Sequence, residues 1–583
     1  MRILRPVCAW VGIAALVVAC TNRPQQQADR LYVNARIYTV DDKAGWAEAM
    51  AVRDGRIIAI GEARAVGRHR GEGTEVVDLG GRMVMPGIHD SHIHPLDGGV
   101  QQLLECRFPP NSLDAALAKI EECVKQAKPG AWVRGGQWSH AFFEGKGPLP
   151  RELLDRIAPD NPVFLMDWSA HNAWVNTRAL EAFGIDRRTA DPVGGTIMRV
   201  PGSGRETGVL LDNAAYSYQA RLPEYPLGEL ARALDFSLRQ VEEQGITTIK
   251  DAIVTPEIMR VYQELSRRNA LRIHVKTSLT WKSAWAKSHD GEIRQIEGRA
   301  AFATDRIDPD FVKIMLDGVL LQYTSALLTP YPPNDRIGAH HTGDLMLRPD
   351  ELARDVVALD RQGLSIKIHA TGDRAARVAL DAFAAARREN GDSGIIHEIA
   401  HAGLVHPDDI PRFRQLNVAA EMCPIVWYPM PGIDRAAIVG KERMPAWRIN
   451  TLYRAGALVS YGSDWPVVPT ASPWPGIEAM VTRMDPYGRS DRVDSPGEAV
   501  DLPTAIRIFT RNGALVNKVP DSSGSLEAGK DADFIVLDRN LFEVPITEVG
   551  DVQVLMSVVG GKVLFDKRAS STGADRGDAD ESQ

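Results

Sequence analysis

Two histidines at the end of a short apolar run, His92 and His94, are the residues whose types and spacing most directly suggest chemistry. Side chains of an extended strand alternate between its two faces, so residues two apart lie on the same side. Two imidazoles on one side can fill two positions of a tetrahedral Zn²⁺ site or of a related divalent-metal site. In a chain with 14 histidines such a pair can also arise by chance. The prediction of a metal site therefore depends on further ligands.

The sequence around the pair resembles a known family. Residues 86–94 read P-G-I-H-D-S-H-I-H and resemble the first-strand signature of the amidohydrolase superfamily. Residues 169–176 read S-A-H-N-A-W-V-N and resemble a motif of one branch, the YtcJ-like or amidohydrolase-3 group. The resemblance implies an α/β enzyme on a (β/α)₈ TIM-like barrel. It further implies hydrolysis of carbon–nitrogen bonds other than peptide bonds, with Zn²⁺ or another divalent metal, one or two per chain.

Periodicity along the chain favours the same fold class. Strand-like runs lie at 84–94, 246–251, 272–279, 311–317, 364–371, 398–401, 418–423 and 458–464. Helical patterns separate them, which predicts a parallel sheet with crossover helices. Eight strand–helix units make a (β/α)₈ barrel, and the active site of such a barrel lies at the carboxyl ends of its strands.

The barrel is predicted to be one of several parts, because 583 residues exceed the usual size of a single domain. Short strands with glycine-rich turns occupy 30–85 and again about 515–568. These two segments are similar to the split β-sandwich that amidohydrolases build from both termini, so we expect one composite domain. The barrel would take 86–514, with a subdomain inserted at 96–240.

The inserted segment is too long for a single strand-to-helix connection, which is ordinarily a few residues. It carries many aromatic residues, namely Trp132, Trp138, Phe142, Phe143, Trp168 and Trp174. Most of these are expected to form the core of the insertion itself. In the resembled branch the insertion covers the barrel mouth as a lid. His171, a polar residue among these aromatics, is the candidate to contact the substrate.

Three further motifs lie at the ends of predicted barrel strands. His369 opens the run H-A-T-G-D-R, His401 ends the run H-E-I-A-H, and Asp464 lies in G-S-D-W-P-V. His401 is favoured over His397 because it lies at the end of its strand. Singly, each could be a buried core histidine or a helix cap. The resemblance implies that His369, His401 and Asp464 bind metal together with the strand-one pair.

The expected roles follow from charge. A divalent metal lowers the pKa of its water to about 7, so hydroxide forms at neutral pH. Asp464 can orient that water, take its proton and pass it to the leaving nitrogen. His171 or another residue of the lid is predicted to stabilise the oxyanion that develops on the scissile carbonyl. The expected partner is a small-molecule substrate.

Lys313 lies on the predicted fourth strand, where an unpaired cation inside a barrel is costly. Alternation places Lys313, Met315 and Asp317 on one side of that strand. One interpretation is an ion pair between Lys313 and Asp317. The other follows from the resemblance, which implies that Lys313 is carbamylated to N6-carboxylysine and bridges two metals. Both stay open at this point, and Lys367, two residues before His369, is a second predicted buried cation without an explanation.

Other functions also stay open. A deaminase or a lactonase would use the same barrel and the same activated water. A lipoprotein that binds metal or a small molecule without turnover belongs to a different class, but binding alone would not need the proton-shuttling Asp464. The net charge of −8 gives no indication of a nucleic-acid partner. A homodimer is compatible with the sequence.

The first 19 residues are predicted to be a signal peptide, because Arg2 and Arg5 precede an apolar run too short to span a bilayer. The run ends in V-V-A-C, which resembles the bacterial lipoprotein cleavage box and implies lipidation of Cys20. Residues 20–29 would form a polar tether, and 569–583 a disordered tail. We expect a lipoprotein of the bacterial cell envelope, anchored in the outer membrane by its lipid and facing the periplasm.

Cysteine usage leaves one question open. After cleavage and lipidation three cysteines remain, Cys106, Cys123 and Cys423, so at least one is unpaired. A disulfide between Cys106 and Cys123 would suit an oxidising periplasm, and two buried free thiols are equally consistent with the sequence.

Overall fold

The computed structural model describes residues 26–109, 112–143, 147–334, 337–424 and 433–567. The predicted signal peptide, the lipidation site Cys20, most of the tether and the tail at 569–583 lie outside the described residues. Within those ranges no helix is long and apolar enough to cross a membrane.

The amino-terminal segment contributes strands to two β-sheets. It forms β1 (Arg30–Val33), β2 (Arg36–Tyr38), β3 (Trp46–Ala47), β4 (Ala49–Arg53), β5 (Arg56–Gly61), helix α1 (Ala63–Val66), β6 (Glu75–Asp78) and β7 (Met83–Pro86). The sequence predicts one strand over 30–40, but Asn34 adopts a φ of 52° and divides it. As a result β1 lies in one sheet and β2 in the other.

The run at 84–94, predicted as one strand, is also divided. β7 belongs to a sheet of the β-sandwich, whereas β8 (Ile88–Ile93) opens the barrel. Gly87 lies between them and packs so closely on Thr247 that a Cβ would be 2.2 Å from its side-chain atoms. Glycine is therefore required where the chain crosses from one sheet to the other.

After β8 the chain forms helix α2 (Pro95–Leu103) and then a separate mixed sheet. Its elements are β9 (Cys106–Arg107), α3 (Leu113–Gln126), β10 (Val133–Trp138), α4 (Pro150–Ile157), β11 (Val163–Asp167), β12 (Asn172–Val175), α5 (Thr177–Phe183), β13 (Gly195–Arg199), β14 (Glu206–Asp212) and α6 (Asn213–Gln219). Trp138 and Trp174 are fully buried in its core. A disulfide joins Cys106 to Cys123, which decides between the two alternatives that the sequence left open.

The remaining barrel strands alternate with helices. In chain order the elements are α7 (Leu227–Glu243), β15 (Ile246–Val254), α8 (Pro256–Arg267), β16 (His274–Thr280), α9 (His289–Glu297), β17 (Ile307–Met315), α10 (Pro349–Arg361), β18 (Ser365–Ala370), α11 (Asp373–Asn390), β19 (His397–His401), α12 (Ile410–Gln415), β20 (Val418–Met422), α13 (Arg435–Val439), α14 (Ile449–Arg454), β21 (Leu458–Tyr461), α15 (Trp474–Thr482), α16 (Leu502–Phe509) and α17 (Arg511–Val516). Among the described residues, β8 and β15 to β21 form one eight-stranded sheet with parallel neighbours. The predicted TIM-like α/β barrel is confirmed.

The barrel strands follow a simple sequence rule. On β18, Ile366 and Ile368 belong to the main hydrophobic core. Lys367 and His369, which alternate with them, contact residues of other barrel strands. Because the side-chain period of a strand is two, the apolar set packs under the helices and the polar set lies inside the barrel. The same rule places the predicted ligands on the inner side.

The carboxyl-terminal segment returns to the β-sandwich with β22 (Phe534–Leu537), β23 (Val554–Val559) and β24 (Lys562–Asp566). β22 pairs antiparallel with β7, so both ends of the described chain share one sheet. This sheet also contacts the barrel, because the Ser557 hydroxyl donates to the Glu242 carbonyl oxygen of α7 at 2.6 Å.

Candidate metal centre

Side chains from four barrel strands converge at the carboxyl ends of the strands. The converging residues are His92 on β8, His94 just after it, His369 on β18, His401 on β19 and Asp464 after β21. Ring centroids of His92 and His401 are 4.8 Å apart, and those of His369 and His401 are 4.6 Å apart. The structure thus brings together five of the six residues that the sequence predicts as ligands, and Lys313, the sixth, is described below.

Asp464 lies beside both strand-one histidines. Its Oδ1 is 3.3 Å from His94 Nε2 and 3.5 Å from His92 Nε2. Gly462 allows this approach of β21 to β8, since a Cβ there would lie 2.4 Å from the Cβ of His92. Two ring nitrogens and one carboxylate oxygen lie within 4.8 Å of one another, which is a donor set for a divalent cation.

Three of the histidines are held in the neutral form that binds metals. Burial lowers the pKa of His92, His369 and His401 well below the usual range, and the nearby Lys313 amine acts in the same direction. His369 Nε2–H donates to the Gly318 carbonyl oxygen at 3.1 Å. The ring of His369 therefore keeps its lone pair on Nδ1.

Two of the predicted ligands have a strained backbone. His401 has a φ of 69° and Asp464 a φ of 60°, in the left-handed region that residues other than glycine seldom adopt. Such conformations cost on the order of 1–3 kcal/mol each and persist where the surroundings fix them. At Asp464 the backbone N–H donates to the His92 carbonyl oxygen at 2.8 Å. Strain at these two positions is typical of a functional site.

Two further residues complete the cluster, Glu421 on the seventh barrel strand β20 and Cys423 just after it, although sequence analysis did not predict either as a site residue. Glu421 accepts a hydrogen bond from His92 Nδ1 at 2.6 Å, and Cys423 Sγ lies 3.4 Å from His401 Nδ1. Both side chains are fully buried. The signal was available, because Glu421 and Cys423 are two residues apart on a predicted barrel strand, as His92 and His94 are.

Lys313 lies in the same cluster. Its Nζ is 3.2 Å from His92 Nε2, and the residue is 3% exposed. Burial, together with the neighbouring Lys367 cation, lowers its pKa to about 8. Ion pairs found among the described residues include none between Lys313 and Asp317, which argues against the ion-pair interpretation.

Asp317 instead organises the loop that follows β17. Its carboxylate accepts hydrogen bonds from the backbone N–H groups of Ala326, Thr371 and Gly372 at 2.9–3.0 Å. Asp317 lies beyond the end of β17, which is at Met315, whereas the sequence predicts that this strand extends to residue 317.

Lys367, which sequence analysis left unexplained, has a structural role. Its Nζ donates to the Ser91 carbonyl oxygen and lies 3.4 Å from Glu398 Oε2. Lys250 pairs with the other oxygen of Glu398. One buried glutamate therefore pairs with two lysines inside the barrel, which offsets the cost of burying them.

His171, the predicted substrate contact, reaches the cluster from the insertion. Its Nδ1 is 3.0 Å from Asp212 Oδ1, and its ring centroid is 5.5 Å from that of His369. A carboxylate can only accept, so Asp212 fixes Nδ1 of His171 as the donor nitrogen and leaves Nε2 for other contacts.

A cavity of about 380 Å³ lies over these residues and is lined by both the insertion and the barrel. Its apolar lining includes Phe164, Met166, Trp168, Met315, Leu320 and Trp447. Charged side chains of both signs, Arg134, Glu224 and Lys287, also line it. His171 and Asp464 face the same space, so a molecule held by the apolar walls would reach the cluster.

A family model described as the amidohydrolase family matches residues 75–565. The chain belongs to the amidohydrolase family. Protein LONG AFTER FAR-RED 3 of Arabidopsis thaliana is 30% identical over 554 residues, covering 92% of this chain and 92% of that protein. N-substituted formamide deformylase of Arthrobacter pascens is 28% identical over 557 residues, covering 94% of this chain and 100% of that protein. The resemblance seen in the sequence is confirmed.

A solved structure of another hydrolase has the same fold as this amidohydrolase. An uncharacterized metal-dependent hydrolase from Pyrococcus furiosus is 25% identical, covers 88% of this chain and 99% of its own, and superposes with a TM-score of 0.66. The chain is therefore a metal-dependent hydrolase acting on carbon–nitrogen bonds.

The donor set of this amidohydrolase fits a divalent metal. It combines neutral, buried imidazoles with one carboxylate, a set that suits Zn²⁺ and similar cations. The residues that would hold the metal are His92, His94, His369, His401 and Asp464, with Lys313 beside them.

Proposed function

We propose that this amidohydrolase cleaves a non-peptide amide of a small, largely apolar molecule. The observation that carries the proposal is the convergence of His92, His94 and Asp464 beneath an apolar cavity. A 28% identical relative is named an N-substituted formamide deformylase, which supports N-formyl or other N-acyl amides as the substrate class.

The chain's own residues have defined tasks in this reaction. A bound divalent metal, Zn²⁺ in our proposal, supplies Lewis acidity that ionises water near neutral pH and polarises a carbonyl. Oδ1 of Asp464 takes the proton of the attacking water and returns it to the leaving nitrogen. His171 donates Nδ1–H to Asp212 and, as the imidazolium that this carboxylate stabilises, donates Nε2–H to the oxyanion. The apolar walls lower the local dielectric constant, which strengthens these charge interactions.

The first prediction concerns substrate preference. Amides that carry an aryl or aliphatic group beside the amide should be hydrolysed faster than acidic ones, because the cavity lining is mainly apolar. Each added methylene that is buried is worth about 0.8 kcal/mol, or roughly a fourfold gain in kcat/KM. The measurement is kcat/KM for N-formyl and N-acetyl amides of benzylamine, butylamine and glycine, with the metal content of the protein determined beforehand.

Lactones and aminopyrimidines serve as controls in the same assay, because a lactonase or a deaminase would turn them over. Equal kcat/KM values for the acidic and the aryl amides would count against the apolar-pocket argument. Faster turnover of a control than of any amide would replace the amide assignment.

We also propose that the protein is a lipoprotein of the cell envelope, anchored by its lipid in the outer membrane and facing the periplasm. Two features support it: the V-V-A-C box that ends at Cys20, and the disulfide between Cys106 and Cys123, a bond typical of oxidising compartments.

The second prediction tests that location. Cys20→Ser should move the protein from the membrane fraction to the soluble fraction, or block its maturation, because the acylated thiol is lost. Fractionation and mass spectrometry of the amino-terminal peptide provide the measurement. Unchanged membrane association together with an unmodified amino-terminal peptide in the native protein would contradict the proposal.

A further inference from the structure

Glu421 and Cys423 have no task in the reaction proposed above, yet they contact two of the metal-binding histidines. His92 Nδ1 is 2.6 Å from Glu421 Oε2, Glu421 Oε1 is 3.2 Å from Cys423 Sγ, and Cys423 Sγ is 3.4 Å from His401 Nδ1. Four side chains from three strands therefore form one continuous chain of contacts. All four are buried.

The direction of each hydrogen bond in this chain follows from the previous one. An ionised carboxylate only accepts, so His92 Nδ1–H donates to one oxygen of Glu421 and the Cys423 thiol donates to the other. Because the thiol hydrogen is used in that bond, the sulfur can only accept from His401. His401 Nδ1 therefore carries its hydrogen as well.

Both rings then present the lone pair of the opposite nitrogen. For His92 this is Nε2, which lies 3.5 Å from Asp464 Oδ1 and 3.2 Å from Lys313 Nζ, on the cavity side of the ring. Metal-ligating histidines commonly donate their other ring N–H to a carboxylate, which fixes the tautomer and raises the basicity of the ligating nitrogen. Here one carboxylate serves two histidines, the second one through a thiol.

We propose that Glu421 and Cys423 are positioning residues that set the tautomers of His92 and His401 through this single hydrogen-bond chain, with the thiol as the relay. The inference rests on the proposed metal site. A competing arrangement has the Cys423 thiolate bind metal directly, since its sulfur lies within 4.8 Å of donor atoms of His92, His401 and Glu421. The 2.6 Å contact between His92 and Glu421 favours the hydrogen-bond chain, because it already uses Nδ1 of His92.

The test is metal affinity, measured by competition with a chromophoric chelator. Glu421→Gln keeps the shape but turns one acceptor into a donor, so it cannot accept from both His92 and Cys423. Loss of such a partner typically weakens metal binding by roughly 10–100-fold. Cys423→Ala should also weaken binding, whereas Cys423→Ser should restore it, because a hydroxyl can both donate and accept.

Two further measurements separate this role from a merely structural one. Glu498→Gln removes another buried carboxylate, one that accepts from Thr451 and not from a histidine, and it should lower stability without changing metal affinity. The Co²⁺-substituted native protein should lack a sulfur-to-cobalt charge-transfer band, since the thiol is not a ligand.

The outcomes are distinct. If the native protein binds no divalent metal, the proposed function fails. If it binds metal and both Glu421→Gln and Cys423→Ala bind it as tightly, only the hydrogen-bond chain is overturned. A charge-transfer band that disappears in Cys423→Ser would also overturn it, in favour of a thiolate ligand. If Glu421→Gln does not fold, the comparison of Cys423→Ala with Cys423→Ser decides.

Discussion

Replacement of Asp464 by asparagine is expected to lower kcat by roughly 10²–10⁴-fold, the usual contribution of a general base, while most of the metal stays bound. Asparagine keeps the side-chain shape and one oxygen that can face His94 and His92, which lie 3.3 and 3.5 Å from Oδ1 in the native protein. An amide cannot take a proton from water at neutral pH. The measurement is kcat on a hydrolysed amide, with metal content determined on the same sample.

Two further variants show whether the loss of turnover is specific to Asp464. A protein with both His92→Ala and His94→Ala should lose metal as well as turnover, because two ring nitrogens of the donor set are removed. Asp251→Asn is the matched control, since Asp251 is also a buried carboxylate near the carboxyl end of a barrel strand but bonds to the Tyr262 hydroxyl. Near-native turnover by Asp464→Asn would show that another group acts as the base.

The fold was predictable because it rests on local patterns. Alternation of apolar and polar residues, as in the run from Ile366 to His369, marks an inward and an outward face without reference to any distant residue. The predicted strand boundaries are wrong where a single backbone angle or a close packing contact determines where a strand ends. Asn34 divides one predicted strand by its positive φ, and Gly87 divides another at its contact with Thr247.

The candidate site was predictable only in part. His92, His94 and Asp464 lie in motifs that can be recognised along the chain, and the structure brings them together. Glu421 acts through a contact with His92, 329 residues away, and no local pattern reports such a pairing. Spacing could have marked it as an inward-facing residue, but only the closed barrel shows which ring it contacts.

The partners of buried charged residues likewise could not be predicted from the sequence alone. From the sequence alone, Lys367 was a cation without a partner, and Lys313 was assigned either to Asp317 or to a carbamate. The structure pairs Lys367 with Glu398, whereas Asp317 is occupied by backbone amides. Such ion pairs form between opposite charges on neighbouring strands. The strand register that brings the two charges side by side is set by the barrel as a whole.

The surroundings of Lys313 now favour the carbamate. Its amine has no carboxylate within ion-pair distance among the described residues, and it contacts His92 Nε2 at 3.2 Å. Glu421 is bonded to His92 and Cys423, so it is not available as a bridging anion. Carbamylation replaces the buried cation by an anion near the Lys367 cation. In this step the neutral amine nitrogen attacks the carbon of CO₂, a C–N bond forms, and one amine proton leaves to solvent.

We therefore propose N6-carboxylysine at Lys313 and expect two metals per chain in protein prepared with bicarbonate, because a carbamate offers two oxygens that can each bind a cation. Lys313→Met, which keeps the length of the side chain and removes its charge, should reduce the stoichiometry to one metal or fewer and abolish most turnover. If Lys313 is an unmodified ammonium, the same substitution should leave metal content unchanged and raise stability, since it removes an unpaired buried charge. Metal analysis combined with electron density at Lys313 decides: two metals with density beyond Nζ support the carbamate, and one metal with a bare ammonium excludes it.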